Sequence, residues 1–333
     1  MFFKIEVIRS VNTNKVILFP TLKKSLENIE KECYVLIKEK EYERALKKLT
    51  YLLSHRYTSY DIHISILICY IKLQRFSEAE EYYEQLLLHD NDPNYYDYLE
   101  YYLMVLYERN QYTELMTIIQ DEEKKNIIPT TFQKKFQDIY RLAYQMNLMS
   151  ADQLIVELEA AVNRKDHQAQ WHIFQKWLKL NVDPHEIFFT LLIDPKVHPV
   201  LKTAIIELLQ ARNVESRIEV EKFGKKTSIE LMDLPAVTDH PIYHQTLTYI
   251  HYIDQDNPSL FTIIEKLHNQ FHYVRYPYLY PEQDIRYVGD ALIQIAIEDL
   301  SLPLNHEGQC ERIIKYIEMI RLCNKLYVNI CPD

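Results

Sequence analysis

The chain has 333 residues, 47% of them apolar, and its 38 Lys and Arg against 48 Asp and Glu give a formal net charge of -10. That length holds one large or two ordinary domains with a hydrophobic core, while the negative balance disfavours nucleic acid and anionic lipid as partners. Only 3 glycines argue against a turn-rich all-β fold or a phosphate-cradling loop.

Five cysteines (Cys33, Cys69, Cys310, Cys323 and Cys331) include no close pair, so a disulfide framework or zinc finger is not expected and reduced thiols are. From Met1 to Arg9 charges interrupt the apolar residues every few positions, unlike a signal peptide, and no later run approaches the ~18 apolar residues of a membrane span. A cytoplasmic protein with no membrane partner is the expectation, with residues 1–24 as an irregular start.

The same pattern then occurs twice. Tyr42 recurs as Phe76, Ala45 as Ala79, Leu49 as Tyr83, and Leu52-Leu53 as Leu86-Leu87, each after 34 residues. A third copy follows a two-residue insertion, with Tyr112, Leu115 and Ile119 after Leu99, Leu103 and Leu106. Each copy pairs two apolar-striped helices, the first pair running from about Leu26 to Ser54 and the second ending in the turn-forming His89–Pro93. A helix from Pro129 to Met146 would cap the third pair. Stacked helix pairs at this period form a solenoid.

On these residues the segment resembles the tetratricopeptide repeat (TPR) family. Tyr70, Ala45, Ala79, Tyr83 and, nearly in place, Pro93 match its motif. Where the family has Gly the chain has Cys33, Leu67 and Leu103, and at the second Ala it has Leu52, Leu86 and Glu122, so wider helix spacing is expected. The whole chain is also similar to TPR-containing proteins of low-GC Gram-positive bacteria, a likeness that brings no activity with it. The family likeness implies an all-α, right-handed helical solenoid over 25–148 whose concave face binds a protein or peptide. Carried over position by position, that face would comprise Glu27, Glu30, Tyr34 and Lys38, then Asp61, Ile64, Ile68 and Lys72, then Asp97, Glu100, Met104 and Glu108. The Lys and Asn clamp by which chaperone-binding TPR domains hold a carboxylate terminus is missing, and this mixture suits a basic or amphipathic peptide.

Beyond the repeats a non-repeating helical half follows. Ser150 reads as an N-cap with Gln153 three residues on, and Asp166 opens the partner helix of a degenerate hairpin within 149–213. Pro184 and Pro199 open two further helices. Over 214–232 the period changes to two: Ile218 and Val220, then Ile229 and Leu231, alternate with polar residues around Gly224, which predicts a β-hairpin. The region 233–333 returns to helices over 241–253, 258–273, 282–300 and about 309–326. Gly289 inside the third implies close backbone approach by a neighbour.

Two further signals bear on chemistry. His240 and His244, with His251 beyond, and His268 and His272 stand at helical spacings that can present two imidazoles to one metal. No His-Glu-x-x-His accompanies them, and a place beside the apolar stripe explains His268 equally well. The run Tyr273–Pro281 interleaves tyrosines with Arg275, as an interface anchor or as a packed loop with wet hydroxyls. No nucleophile motif or Walker loop is present. The leading reading is therefore a non-catalytic scaffold without cofactor. The alternative is a metal-dependent enzyme or regulator using His244, His251, His268 and His272, and a third possibility is a peptide-sensing regulator.

Overall fold

The computed structural model describes residues 20–87, 93–125, 128–301 and 310–331. The expected irregular start up to residue 19 and most of the His89–Pro93 turn lie outside the described residues. The chain divides into two compact units, Met1–Gln145 and Met146–Asp333, and the boundary falls inside one long helix.

The first unit contains α1 (Pro20–Lys38), α2 (Tyr42–Ser54), α3 (Tyr60–Lys72), α4 (Phe76–Leu87), α5 (Tyr95–Glu108), α6 (Tyr112–Lys124) and the start of α7 (Thr130–Arg164). The first helix starts at Pro20, so 20–24 are helical and not irregular as expected; proline at the first helical position is preorganised and lacks only a donor that would be orphaned there. Consecutive helices pack as hairpins, and in addition α1 touches α3 and α3 touches α5, the neighbour pattern of stacked pairs.

Tyr42, Phe76 and Tyr112 are each the first residue of the second helix in their pair. The turn before each is the same. Lys40, Gln74 and Asn110 take positive φ of 63, 57 and 59 degrees. The amide of the next residue then donates back to Leu36, Tyr70 and Leu106 respectively, closing the preceding helix as a Schellman motif without glycine. The small Ala45 and Ala79 are wholly buried at the helix contacts, with Cys33, Leu67, Leu103 and Leu52 buried around them. Glu122, at the family's second Ala, is buried too, and its carboxylate accepts from the Tyr95 hydroxyl (2.9 Å) and Lys125 Nζ (2.6 Å). The beginning of α7 lies over the third pair through Phe132 and Phe136 against Tyr96.

The expected break at Ser150 does not occur. Neither Gly nor Pro interrupts Thr130–Arg164, and the Ser150 hydroxyl donates to the Met146 carbonyl inside the helix (2.9 Å) instead of capping a new one.

The second unit continues with α8 (His167–Lys179), α9 (Ile187–Ile193) and α10 (Pro199–Ala211). Asp166 caps α8 by accepting from the Ala169 amide, as its sequence suggests. Burial extends all round α10, which is therefore an interior helix; it touches α8 and α9. Strands β1 (Arg217–Lys222) and β2 (Lys225–Glu230) pair antiparallel through a two-residue turn, Phe223-Gly224, with both φ positive. Ile218, Val220 and Lys222 alternate inward, and β1 lies on α9.

Then come α11 (Pro241–Ile250), α12 (Tyr252–Asp256), α13 (Pro258–Arg275), α14 (Ile285–Asp299) and α15 (Glu311–Val328). The helix expected over 241–253 is divided at His251, and the expected start of the last helix near 309 lies outside the described residues. Helices α11, α13, α14 and α15 surround a second core around Ile264, Phe271, Leu292 and Ile320. Gly289 admits Tyr249 of α11: a Cβ there would meet the ring at 2.4 and 2.6 Å, so the close neighbour is a side chain.

Candidate peptide-binding surface

Helices α1, α3 and α5 lie side by side, and the carried-over positions fall on them in three tiers. Several of those side chains hold the array together. Glu30 accepts from the hydroxyls of Tyr34 (2.9 Å), Tyr57 (2.8 Å) and Ser59 (3.3 Å), joining α1 to the loop before α3. Glu100 is paired with Lys135 of α7 at 2.7 Å. Asp97 lies near Tyr60, and burial first, then that carboxylate, pushes the Tyr60 phenol up to about 12. Ile64 belongs to the buried interior, and Glu27 and Ile68 are half-buried.

The exposed members are Lys38, Asp61, Lys72, Met104 and Glu108. Met104 is 41% exposed although its neighbours Leu103 and Val105 are buried. A thioether in water offers an adaptable apolar contact.

Residues 36–100 match the tetratricopeptide repeat family. Over those residues the helix pairs are similar to tetratricopeptide repeats. A TPR repeat-containing protein, YsoA of Bacillus subtilis (strain 168), is 26% identical over 272 residues, covering 79% of this chain and 80% of that protein. No solved structure matches. TPR arrays as a rule mediate contacts between proteins and are not catalytic.

The histidines do not converge on a metal site: among the described residues no group of three or more His, Cys, Asp or Glu is placed to hold one. His244 and His251 are exposed. His240 caps α11, its Nδ1 accepting from the Ile242 amide. His268 and His272 are fully buried under Tyr243, whose ring stacks on His268 at 4.8 Å and meets His272 edge-on at 5.1 Å. Burial pushes both imidazoles down to about 3, and the neighbouring histidines add to the effect at His272.

The Tyr273–Pro281 run is tied into the second unit through tyrosine hydroxyls that bond to the protein. The hydroxyl of Tyr273 donates to Glu207 (2.7 Å), Tyr276 to the Pro235 carbonyl (2.8 Å) and Tyr278 to the Val220 carbonyl (2.5 Å). Lys222, whose side chain is 2% exposed, completes this tie. Its Nζ donates to Thr203 Oγ1 (2.6 Å) and to the carbonyls of Val274 (3.3 Å) and Tyr276 (2.5 Å), and burial holds its pKa well below the lysine range. The two-residue period running Ile218, Val220, Lys222 is the sequence signal that points this lysine inward.

Among the described residues no helix is long and apolar enough to cross a membrane.

Proposed function

We propose that the exposed face of α1, α3 and α5 holds a segment of another protein, making the chain a non-catalytic adaptor. The observation that carries this reading is Met104, an apolar side chain left in solvent at the third tier of a face whose other exposed members are Lys38, Asp61, Lys72 and Glu108. Two of the carboxylates of the face, Glu30 and Glu100, already have partners within the chain. Charge selection therefore falls to Asp61 and Glu108, and the occupant is a basic or amphipathic segment lying across the tiers.

The test is capture of partners by the immobilised full chain, compared with a chain carrying Asp61→Lys and Glu108→Lys. Both positions are exposed, so the fold tolerates the change. Loss of the captured protein with unchanged circular dichroism supports the surface; equal capture by both chains removes it. Glu100→Lys is a poorer probe, because it also breaks the contact with Lys135.

A further inference from the structure

One edge of the β-hairpin is covered and the other is open. Strand β1 lies on α9, and the Glu221 carbonyl on its outer edge accepts from Lys202 Nζ of α10. Strand β2 is exposed at every residue except the half-buried Ile229. The Leu231 amide donates to the Ser216 carbonyl at 3.2 Å, and by the alternation of an antiparallel ladder Ile229, Thr227 and Lys225 bond to β1 in the same way. The backbone N–H and C=O groups of Lys226, Ser228 and Glu230 therefore turn away from β1. Among the described residues no third strand pairs with them. A two-stranded sheet is marginal by itself, and an open edge of this kind is a template for a further strand.

The side chains along that edge say which strand fits. Lys226, Ser228 and Glu230 share the solvent face of the hairpin with Arg217 and Glu219 of β1. Lys226 pairs with Glu219 at 2.9 Å and Arg217 with Glu230 at 3.4 Å, and all four side chains are more than half exposed, so each can take a further partner.

We propose that β2 is the contact between two copies of this chain, which join edge to edge across a two-fold axis at Ser228 into a four-stranded antiparallel sheet. In this register Lys226 stands opposite Glu230 of the second copy, Ser228 opposite Ser228, and Thr227 opposite Ile229. Each of the outward-turned residues then exchanges two backbone hydrogen bonds with its opposite. The existing ion pairs become rows of alternating sign running Glu219, Lys226, then Glu230 and Arg217 of the second copy. A shift of two residues either way sets these charges against serine and loses a bonded pair. Charges on an edge ordinarily discourage pairing; here they admit a strand with a basic residue four positions before an acidic one, which β2 itself supplies. The contact lies wholly in the second unit and is independent of the repeat surface.

Sedimentation of the full chain over a range of concentrations reads the association, and the unaltered chain forms dimers as concentration rises. Lys226→Glu sets glutamate against glutamate and Glu230→Lys sets lysine against lysine, so either variant alone associates about tenfold more weakly. An equimolar mixture of the two restores opposite charges in both rows, and the dimer returns. Ser228→Pro removes an amide that β1 does not use and leaves monomers with unchanged circular dichroism. An unaltered chain that stays monomeric at every concentration overturns the proposal. A dimer that survives Ser228→Pro, or a mixture no more associated than its components, overturns it as well.

Discussion

Acidification from pH 7.5 to 5.0 will destabilise the second unit through His268 and His272. Both rings are fully buried, and neither nitrogen of His272 has a hydrogen-bond partner in the protein. The groups facing them are His240, which caps α11, and His244 and Tyr243 of α11, and Tyr280 approaches His268 at 3.4 Å, so no carboxylate compensates a positive charge. Each histidine binds protons near 6.5 when unfolded and only near 3 when folded. The unfolded chain therefore holds the extra proton, and stability present above pH 6.5 is lost as the pH falls toward 3. At pH 5 the loss is about 2 kcal/mol for each ring, about 4 kcal/mol for the pair, a large fraction of a typical domain's stability. Urea unfolding at the two pH values measures it. His198 titrates in the same direction, so the informative comparison is between chains. His272→Phe keeps an aromatic ring under Tyr243 and removes one titration, so its loss between pH 7.5 and 5.0 is smaller by about 2 kcal/mol. An identical pH dependence in the two chains would refute the reasoning.

Three further outcomes follow from the packing. Gly289→Ala lowers stability by about 1 kcal/mol, because the new methyl displaces the Tyr249 ring and its hydrogen bond to Asp290; in a Tyr249→Ala background the same change becomes neutral or stabilising, which thermal melts of the four chains show. Gln74→Gly relieves a positive φ of 57 degrees at the turn between α3 and α4 and raises stability by about 1 kcal/mol in urea unfolding. Lys222→Met leaves Thr203 and two buried carbonyls without their donor and lowers the urea midpoint by the equivalent of about 2 kcal/mol, whereas Lys226→Met on the exposed strand stays within about 0.5 kcal/mol.

The repeat was legible because stacking repeats its demands. The same turn and helix contact place an aromatic at the start of each second helix and large apolar residues seven positions on, with a small residue three positions on in the first two pairs, so Tyr42, Phe76 and Tyr112 align on spacing alone. The alternation of Ile218 and Val220 likewise announced the hairpin. Less legible were features set by partners distant in sequence. Ser150 has the chemistry of a cap, but nothing downstream forces the helix to end, so its hydroxyl turns back to Met146. Lys222 looks like a surface residue until three acceptors, from α10, the last turn of α13 and the residue after it, surround it. On the candidate surface, the spacing placed Glu30 and Glu100 on the first helices of their pairs; only the geometry shows them bound to Tyr57 and Lys135, which leaves Asp61, Met104 and Glu108 as the contacts proposed here.

Placing a photo-crosslinking amino acid at Met104, and separately at exposed Lys47 on α2, tests the central claim most directly. In the source cells the adduct at Met104 should contain a second polypeptide that the Asp61→Lys, Glu108→Lys chain no longer captures, with little or none at Lys47. Equal crosslinking at both positions, or a Met104 adduct unaffected by the charge reversal, would contradict the assignment of this face as the surface that receives a partner.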